Sequence, residues 1–203
     1  IKEADYKKNA QGSSTGMPFY FRDMRVSPPA YIVFRGYLGD ITEDISPNWQ
    51  EHNYIGRSEA VHVYGNTKRT ISFSFTTYAQ TKDELQTIYE KLGYLKSMVY
   101  PFYRDDDASR NRMIAPYSSV RIGDLFGSDS PTKQMNGFIS GLGYNWSPDS
   151  PWETRPGQIV PKRCDVTVNF TVLHQQPPSG QTSFSEWFGF TDKTRKQVVE
   201  ANT

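Results

Sequence analysis

Residues 71–79 read ISFSFTTYA, and this stretch decides the fold. Its side chains alternate in kind: one side carries Ile71, Phe73, Phe75, Thr77 and Ala79, and the other carries Ser72, Ser74, Thr76 and Tyr78. Successive side chains of a β-strand point to opposite faces of the sheet. The period of two therefore predicts a strand with one face in the core and one face that is mostly small and polar.

The period changes directly after this strand. Apolar residues then recur at helical spacing: Leu85, Ile88, Tyr89, Leu92 and Leu95. Thr81 and Glu84 have the spacing of a capping box, which marks a helix start, and Tyr100-Pro101 indicates that the helix has ended by that point. The sequence predicts one helix over about Lys82–Ser97, with an apolar stripe that needs a sheet to cover.

Further segments on both sides are rich in the β-branched and aromatic residues that favour strands. These segments are Tyr31–Leu38, Ile41–Ile45, Ala60–Tyr64, Ser119–Phe126, Gly137–Trp146 and Cys164–His174. Turn-forming residues at Gly39-Asp40, Pro47 and Gly65-Asn66 are predicted to end the early strands. The predicted fold is mainly β, a β-sandwich or partly open barrel with one flanking α-helix and extended termini.

The two ends of the chain differ in composition from its middle. We predict an N-terminal arm over residues 1–30, a β domain over 31–177 and a C-terminal extension over 178–203. A Gln, Pro, Ser and Gly linker leads into that extension, and the aromatic residues Phe184, Trp187, Phe188 and Phe190 follow. An extension with exposed aromatic side chains needs a surface to dock on, either its own domain or a neighbour.

The composition excludes several function classes. With 23 basic and 22 acidic side chains the formal charge is +1, so no strong field attracts DNA or an anionic membrane. Cys164 and three scattered histidines lack the spacing of a zinc site, and we expect no metal or cofactor. Cys164 opens an apolar strand face and is predicted to lie in the core. No apolar run of about 18 residues is present, and we expect a soluble protein made in a cytoplasm.

The order of the segments carries a resemblance to a known family. The order is the turn Tyr54-Ile55-Gly56-Arg57, Val61–Tyr64, Lys68–Phe75, the helix ending in Tyr100-Pro101, Met135–Trp146, the Trp152–Pro161 loop and Val166–Leu173. In this order, the chain resembles the tail-tube-fold baseplate proteins of contractile-tailed bacteriophages, which sit between the central hub and the tail tube. The resemblance covers about Tyr31–Pro177.

The resemblance implies a structural subunit of the virion that has no catalytic activity and is assembled in the bacterial host cytoplasm. Identical subunits would form a hexameric ring with an inner β-barrel that initiates the tube. The other partners implied are the tail tube protein, the central hub and baseplate proteins, and a tape-measure protein, with genome DNA only passing through the channel and no membrane.

Two sets of residues are expected to serve this role. A barrel wall needs one face packed on its own subunit and one face towards a wet channel. The predicted channel-facing residues are Ser72, Ser74, Thr76, Thr167, Asn169 and Thr171. Tyr54, Gly56 and Arg57 are predicted to contact the next subunit, where an arginine on a glycine turn would form a two-pronged bond to a carboxylate; a solvated loop arginine is the alternative.

Two other functions stay open from the residues alone. A carbohydrate-binding β-sandwich would use Trp146, Trp152 and Tyr144 as a stacking surface. A tail-associated cell-wall hydrolase would need two facing carboxylates, and the candidates are Glu43, Asp44, Asp105–Asp107 and Glu153. Adjacent residues such as Glu43 and Asp44 point to opposite faces of a strand, and we expect the chain not to be an enzyme.

Overall fold

One seven-stranded antiparallel sheet, with a single helix packed on one of its faces, forms the fold of the described residues. The computed structural model describes residues 17, 19–103, 113–127, 134–154, 157 and 159–174. The elements are β1 (Phe19–Asp23), β2 (Ala30–Val33), β3 (Tyr37–His52), β4 (Val61–Tyr78), α1 (Lys82–Ser97), β5 (Phe102–Tyr103), β6 (Met113–Ile114), β7 (Ser118–Ile122), β8 (Met135–Asn145) and β9 (Arg163–Val172).

The sheet is open. Its strand order is β2-β1-β7-β8-β9-β4-β3, and β5 and β6 form a separate small pair. Within the described ranges, β2 and β3 therefore each have one edge without a strand partner. The mainly β fold with one flanking helix is confirmed, and the sheet does not close into a barrel within the single chain.

The core lies where the alternating strands meet the helix. Phe73 pairs with Val168 and Phe75 with Val166 across β4 and β9, and all four side chains are at most 2% exposed. Phe19 joins this layer, with its ring 5.0 Å from that of Phe75 in an edge-to-face arrangement. Burying each such side chain contributes about 1.5–3 kcal/mol. The face of residues 71–79 that was predicted to lie in the core is thus the buried face.

The helix starts and ends where the sequence predicts. Thr81 caps it: the Glu84 backbone N–H donates to the Thr81 hydroxyl oxygen at 3.3 Å, and the Thr81 backbone N–H donates to the Glu84 carboxylate at 3.3 Å. These two bonds satisfy donors that a bare helix end leaves open. Leu92 and Leu95 bury the apolar stripe in the core.

An ion pair fixes the far end of the helix to β1. The Arg25 guanidinium lies 2.8 Å from the buried Asp23 carboxylate and donates to the carbonyl oxygens of Ser97 and Tyr100 at 3.1 and 2.5 Å. The Tyr94 hydroxyl also donates to Asp23, at 3.1 Å. Burial alone would raise the pKa of Asp23, but the Arg25 and Tyr94 contacts outweigh it and hold the pKa below its ordinary value.

The predicted arm over residues 1–30 is wrong in its second half. Strand β1 pairs with both β2 and β7, and Phe19 and Phe21 are 3% and 0% exposed. The alternation of Phe19 and Phe21 with Tyr20 and Arg22 is the same period of two as in β4, but over only five residues. Residues 1–16 and the predicted C-terminal extension over 178–203 lie outside the described residues.

Three predicted strand ends are also wrong. The predicted segments Tyr31–Leu38 and Ile41–Ile45 become β2 and part of a 16-residue β3, which continues through Gly39-Asp40 and Pro47. Strand β4 likewise runs through Gly65-Asn66. The register shifts between Leu38 and Ile41, and again between Asn48 and Trp49. Gly39-Asp40 and Gly65 thus mark β-bulges inside one long hairpin, where an extra residue bends a strand without ending it. Pro47 lies in regular register opposite Thr67.

Candidate functional site

The outer part of the β3–β4 hairpin projects beyond the rest of the sheet. Pairing of β4 with β9 stops at Thr70, whereas pairing of β4 with β3 continues to His52 and Val61. We call residues 45–68 the ribbon. Every ribbon residue is exposed except Ala60 and Val61, which are half-buried. The ribbon therefore has water on both faces.

Large apolar side chains are concentrated on this ribbon. The exposed ones are Ile45, Trp49, Tyr54, Ile55, Val63 and Tyr64. The rings of Trp49 and Tyr64 pack edge to face at 5.3 Å. An isolated two-stranded hairpin is at best marginally stable in water. A ribbon that also exposes this much apolar surface has the properties of a surface that another chain covers.

The ribbon tip is the turn named in the resemblance. The Arg57 backbone N–H donates to the Tyr54 carbonyl at 3.3 Å, and Gly56 has φ +84°. A side chain at Gly56 would strain the backbone, because that φ belongs to the left-handed region. The tip therefore presents Tyr54, a fully exposed Ile55 and Arg57. The structure brings the three predicted contact residues together at this tip.

A charged pair, Arg69 and Glu43, lies at the base of the ribbon. The Arg69 side chain is 3% exposed, is hydrogen-bonded to Glu43 and lies 6.0 Å from the Phe126 ring centroid. Asp44 points to the other face and accepts a hydrogen bond from the Ser46 hydroxyl at 2.5 Å. Glu43 and Asp44 therefore do not face each other across a cleft, which is the arrangement that a glycosidase requires.

A small polar face covers the middle of the sheet opposite the core. Ser72 pairs with Asn169 and Ser74 with Thr167, so these side chains form a continuous patch. Thr76 extends the patch and donates to the Asp165 carboxylate at 2.5 Å. All five predicted residues of this patch are exposed or half-buried. Their side chains are short and uncharged.

The sixth predicted channel-facing residue, Thr171, is placed differently. It lies on the same face, between Thr70 of β4 and Phe138 of β8, but it is only 7% exposed. The polar patch accessible to solvent therefore ends at Asn169. On the neighbouring strand β8, glycines lie beside this patch: Gly141 pairs with Asn169 and Gly143 with Thr167. Because glycine has no side chain, these positions add no bulk above the sheet.

A shallow apolar groove lies at the opposite end of the sheet from the ribbon. Its volume is about 380 Å³, and it is lined by Tyr89, Trp146, Trp152, Ile159, Val160 and Pro161. Trp146 and Trp152 are each about half exposed. The Tyr89 hydroxyl donates to the Pro161 carbonyl at 2.9 Å. The groove, called the Trp groove below, offers apolar contact area and almost no polar group.

Tyr144 does not join the two tryptophans as an exposed platform. Its ring stacks on Trp146 at 5.9 Å, with the Lys96 ammonium 5.2 Å from its centroid. Its hydroxyl donates to the Leu92 carbonyl at 2.9 Å. Burial raises the pKa of Tyr144 well above its ordinary value. The expected stacking surface of Trp146, Trp152 and Tyr144 is therefore incomplete, which weakens the sugar-binding alternative.

The remaining chemical groups do not form a reactive site in the described part of the chain. Cys164 is buried as predicted, and burial followed by the nearby Asp165 raises its pKa to about 11. Glu153 is buried with Lys162 at 3.4 Å, and Asp105–Asp107 lie outside the described residues. Among the residues that are described, no three His, Cys, Asp or Glu side chains are grouped to hold a metal ion. No helix in that same part is long and apolar enough to span a membrane.

Comparisons with known proteins add little to this geometry. No protein-family model matches the sequence, and no curated protein matches it. Among solved structures, a similar one is the tail of an empty gene transfer agent particle with C6 symmetry. The two chains share 10% sequence identity, with a TM-score of 0.35, over 79% of this chain and 96% of that chain. A likeness this weak does not indicate a function for this chain.

Proposed function

We propose that this chain is a structural ring subunit of a contractile-tail phage baseplate, which connects the hub to the tail tube and initiates tube assembly. Six copies would form the ring, with the small polar face towards the channel and the ribbon laid against neighbouring copies. The tail tube protein, hub proteins and a tape-measure protein would be its further partners. The proposal combines the family resemblance with the geometry of the ribbon and sheet edges.

The ribbon is the observation that carries the proposal. It has no packed face of its own, and it exposes a row of large apolar side chains. A long exposed edge strand also invites pairing with other chains, and soluble proteins usually protect such edges. Strand β3 is 16 residues long and forms one edge of the sheet. Copies arranged in a closed ring would cover both the ribbon and the edge of β3.

The polar face supports the same role. A channel that lets DNA pass needs a wall that neither repels nor holds a polyanion. Ser72, Ser74, Thr167 and Asn169 offer short neutral side chains in one continuous patch. The charged pair Arg163 and Asp165, at 3.2 Å, lies at the rim of that patch. None of those four patch residues is a lysine or arginine that would bind the DNA tightly.

Electron microscopy of the purified chain, with and without the tail tube protein of the same particle, tests the proposal. We expect rings from the chain alone and tubes that grow from those rings when tube protein is added. Ile55→Asp at the ribbon tip should abolish both, because it places a charge in the covered surface. Tyr103→Ala, which changes an exposed aromatic residue outside the ribbon, serves as the control. Monomers that leave the onset of tube growth unchanged would refute the proposal.

A further inference from the structure

The apolar lining of the Trp groove indicates what kind of side chain could bind there. The groove is lined by Ile159, Val160, Pro161 and the rings of Tyr89, Trp146 and Trp152. Sugar recognition requires polar groups placed beside the stacking rings, and this lining provides almost none. An aromatic or aliphatic side chain, by contrast, gains affinity in such a groove by leaving water.

The sequence contains a segment of matching chemistry beyond the described residues. Residues 184–190 read FSEWFGF, with four aromatic side chains in seven positions. A linker of nine residues, 175–183, connects this segment to His174. We call residues 184–190 the aromatic segment.

The direction of β9 decides which copy the segment reaches. Strand β9 begins beside the groove, where Trp152 bridges to Pro161 and the Arg163 backbone N–H donates to Ser150 at 2.9 Å. It ends at the base of the ribbon, where Thr171 pairs with Thr70. At about 3.3 Å per residue, the ten residues of β9 carry the chain roughly 30 Å away from its own groove.

A return to the same groove would need a chain stretched well beyond its average span. The 13 steps from His174 to Trp187 could reach about 45 Å fully extended, but a chain of that length without regular structure spans only about 20 Å on average, less than the roughly 30 Å length of β9. In a head-to-tail pair whose ribbon lies alongside the next copy, however, the end of β9 in one copy faces the groove end of the next. The exit of β9 then lies close to a groove that belongs to the other copy.

We propose that the Trp groove binds the aromatic segment of a second copy of this chain, in a head-to-tail contact. This inference rests on the proposed function in one respect, since it adds a contact along the axis to the contacts within a ring. A contact of this kind is heterologous: a segment of one copy occupies a groove of the next, and each copy keeps one free segment or one free groove. Stacked copies, rather than a symmetric pair, are the expected product.

Complementation between two variants tests the contact. All proteins are full length and carry Ile55→Asp, so that contacts made by the ribbon do not mask the result. One variant adds Trp152→Ala in the groove, and the other adds Trp187→Ala with Phe188→Ala in the aromatic segment. Tyr103→Ala on the same background is the matched control. Trp152 is about half exposed, so its loss should leave the fold intact, which circular dichroism checks.

Sedimentation velocity is the measurement. The Ile55→Asp protein and the Tyr103→Ala control should self-associate, and each variant alone should associate at least tenfold more weakly, as expected for loss of an interface anchor. An equimolar mixture of the two variants should form a one-to-one dimer, because one intact segment and one intact groove remain.

Three outcomes would overturn the inference. Unchanged association of both variants would mean that neither the groove nor the segment contributes to self-association. Two weakened variants that fail to form a dimer when mixed would show that the segment of one copy does not occupy the groove of the next. Loss of all association in Ile55→Asp alone would make the ribbon tip the occupant. Rings and tube growth by the unsubstituted chain, seen by microscopy, would leave the proposed function standing in each case.

Discussion

Replacement of Asp23 with Asn tests the ion pair that joins β1 to the end of α1. The Asp23 carboxylate accepts hydrogen bonds from the Arg25 backbone N–H at 3.0 Å, from Arg25 Nε at 2.9 Å and Nη2 at 2.8 Å, and from the Tyr94 hydroxyl at 3.1 Å. Asparagine keeps the shape but removes the charge, and it turns an amide N–H₂ towards groups that are themselves donors.

The magnitude follows from the burial of the pair. The side chains of Asp23 and Arg25 are 0% and 1% exposed, so Asp23→Asn leaves a buried guanidinium without its counter-charge. Breaking a buried ion pair from one side costs about 3–5 kcal/mol. Against a total stability of about 5–15 kcal/mol, this loss should be obvious in an unfolding curve.

The same pair gives a pH dependence with a definite sign. The pKa of Asp23 is lowered in the folded state, so the unfolded chain binds the proton more readily. The stabilisation is therefore complete above the unfolded pKa, near 3.8, and is lost as the pH falls below that value through the folded pKa. The stability difference between wild type and Asp23→Asn should be constant near neutral pH and should shrink below about pH 4.

Urea unfolding from pH 3 to pH 7, followed by circular dichroism, measures both effects. The matched control is Asp83→Asn, which changes an exposed carboxylate in the first turn of α1 and should cost about 0.3–1 kcal/mol through the helix dipole. A cost below 1 kcal/mol for Asp23→Asn, or a difference that stays the same down to pH 3, would refute this account of the pair.

Three further predictions concern the core and the helix. Gly137→Ala should cost at least about 3 kcal/mol in urea unfolding, because a Cβ there would lie 2.0 Å from the Thr171 carbonyl oxygen. Gly93→Ala is its control: no atom lies within 4 Å of that Cβ, so stability should rise by about 0.5–1 kcal/mol, and equal effects at the two sites would contradict the packing. Thr81→Ala should lower stability by about 1 kcal/mol through loss of the helix cap, measured by thermal melting; an unchanged midpoint would argue against the capping box. The Cys164 thiol should resist an aromatic disulfide reagent at pH 8 until denaturant is added, because it is 1% exposed with a pKa of about 11; rapid reaction of the native protein would contradict its burial.

The parts of the fold that follow from a single local pattern were predictable from the sequence. Strand β4 over residues 71–78, strand β9 and the helix each carry an uninterrupted period, and the structure follows that period. The helix start was predictable to the residue because Thr81 and Glu84 form a local motif that needs no tertiary contact. These elements were also the ones that defined the polar face.

The length of the hairpin was not predictable, because it depends on which residues pair across the two strands. Pro47 is tolerated because β3 is an edge strand, where a residue without an N–H need not break the ladder. The register shift at Asn48 and Trp49 absorbs Gly65 as a bulge. The same residues that signal turns in isolation thus shape one long ribbon, and its exposure on both faces became visible only in three dimensions.

The exposed tip was predictable in kind rather than in place, and its contact with another subunit stays a prediction. Tyr54, Gly56 and Arg57 were predicted as a contact because a glycine turn presents an arginine, and they do form an exposed tip. The sequence carries no signal that this tip stands at the end of a 24-residue projection, or that Trp146 and Trp152 lie at the opposite end of the sheet. Strand pairing sets both positions.

The mass of the purified chain in solution tests the central claim most directly. The claim is that the ribbon and the open sheet edges are completed by further copies of the same chain. Native mass spectrometry should then record a closed assembly of six times the 23.3 kDa of one chain, and Ile55→Asp should reduce it to species with fewer copies. A monomer that persists at high concentration, with Ile55→Asp indistinguishable from the unsubstituted chain, would contradict the claim.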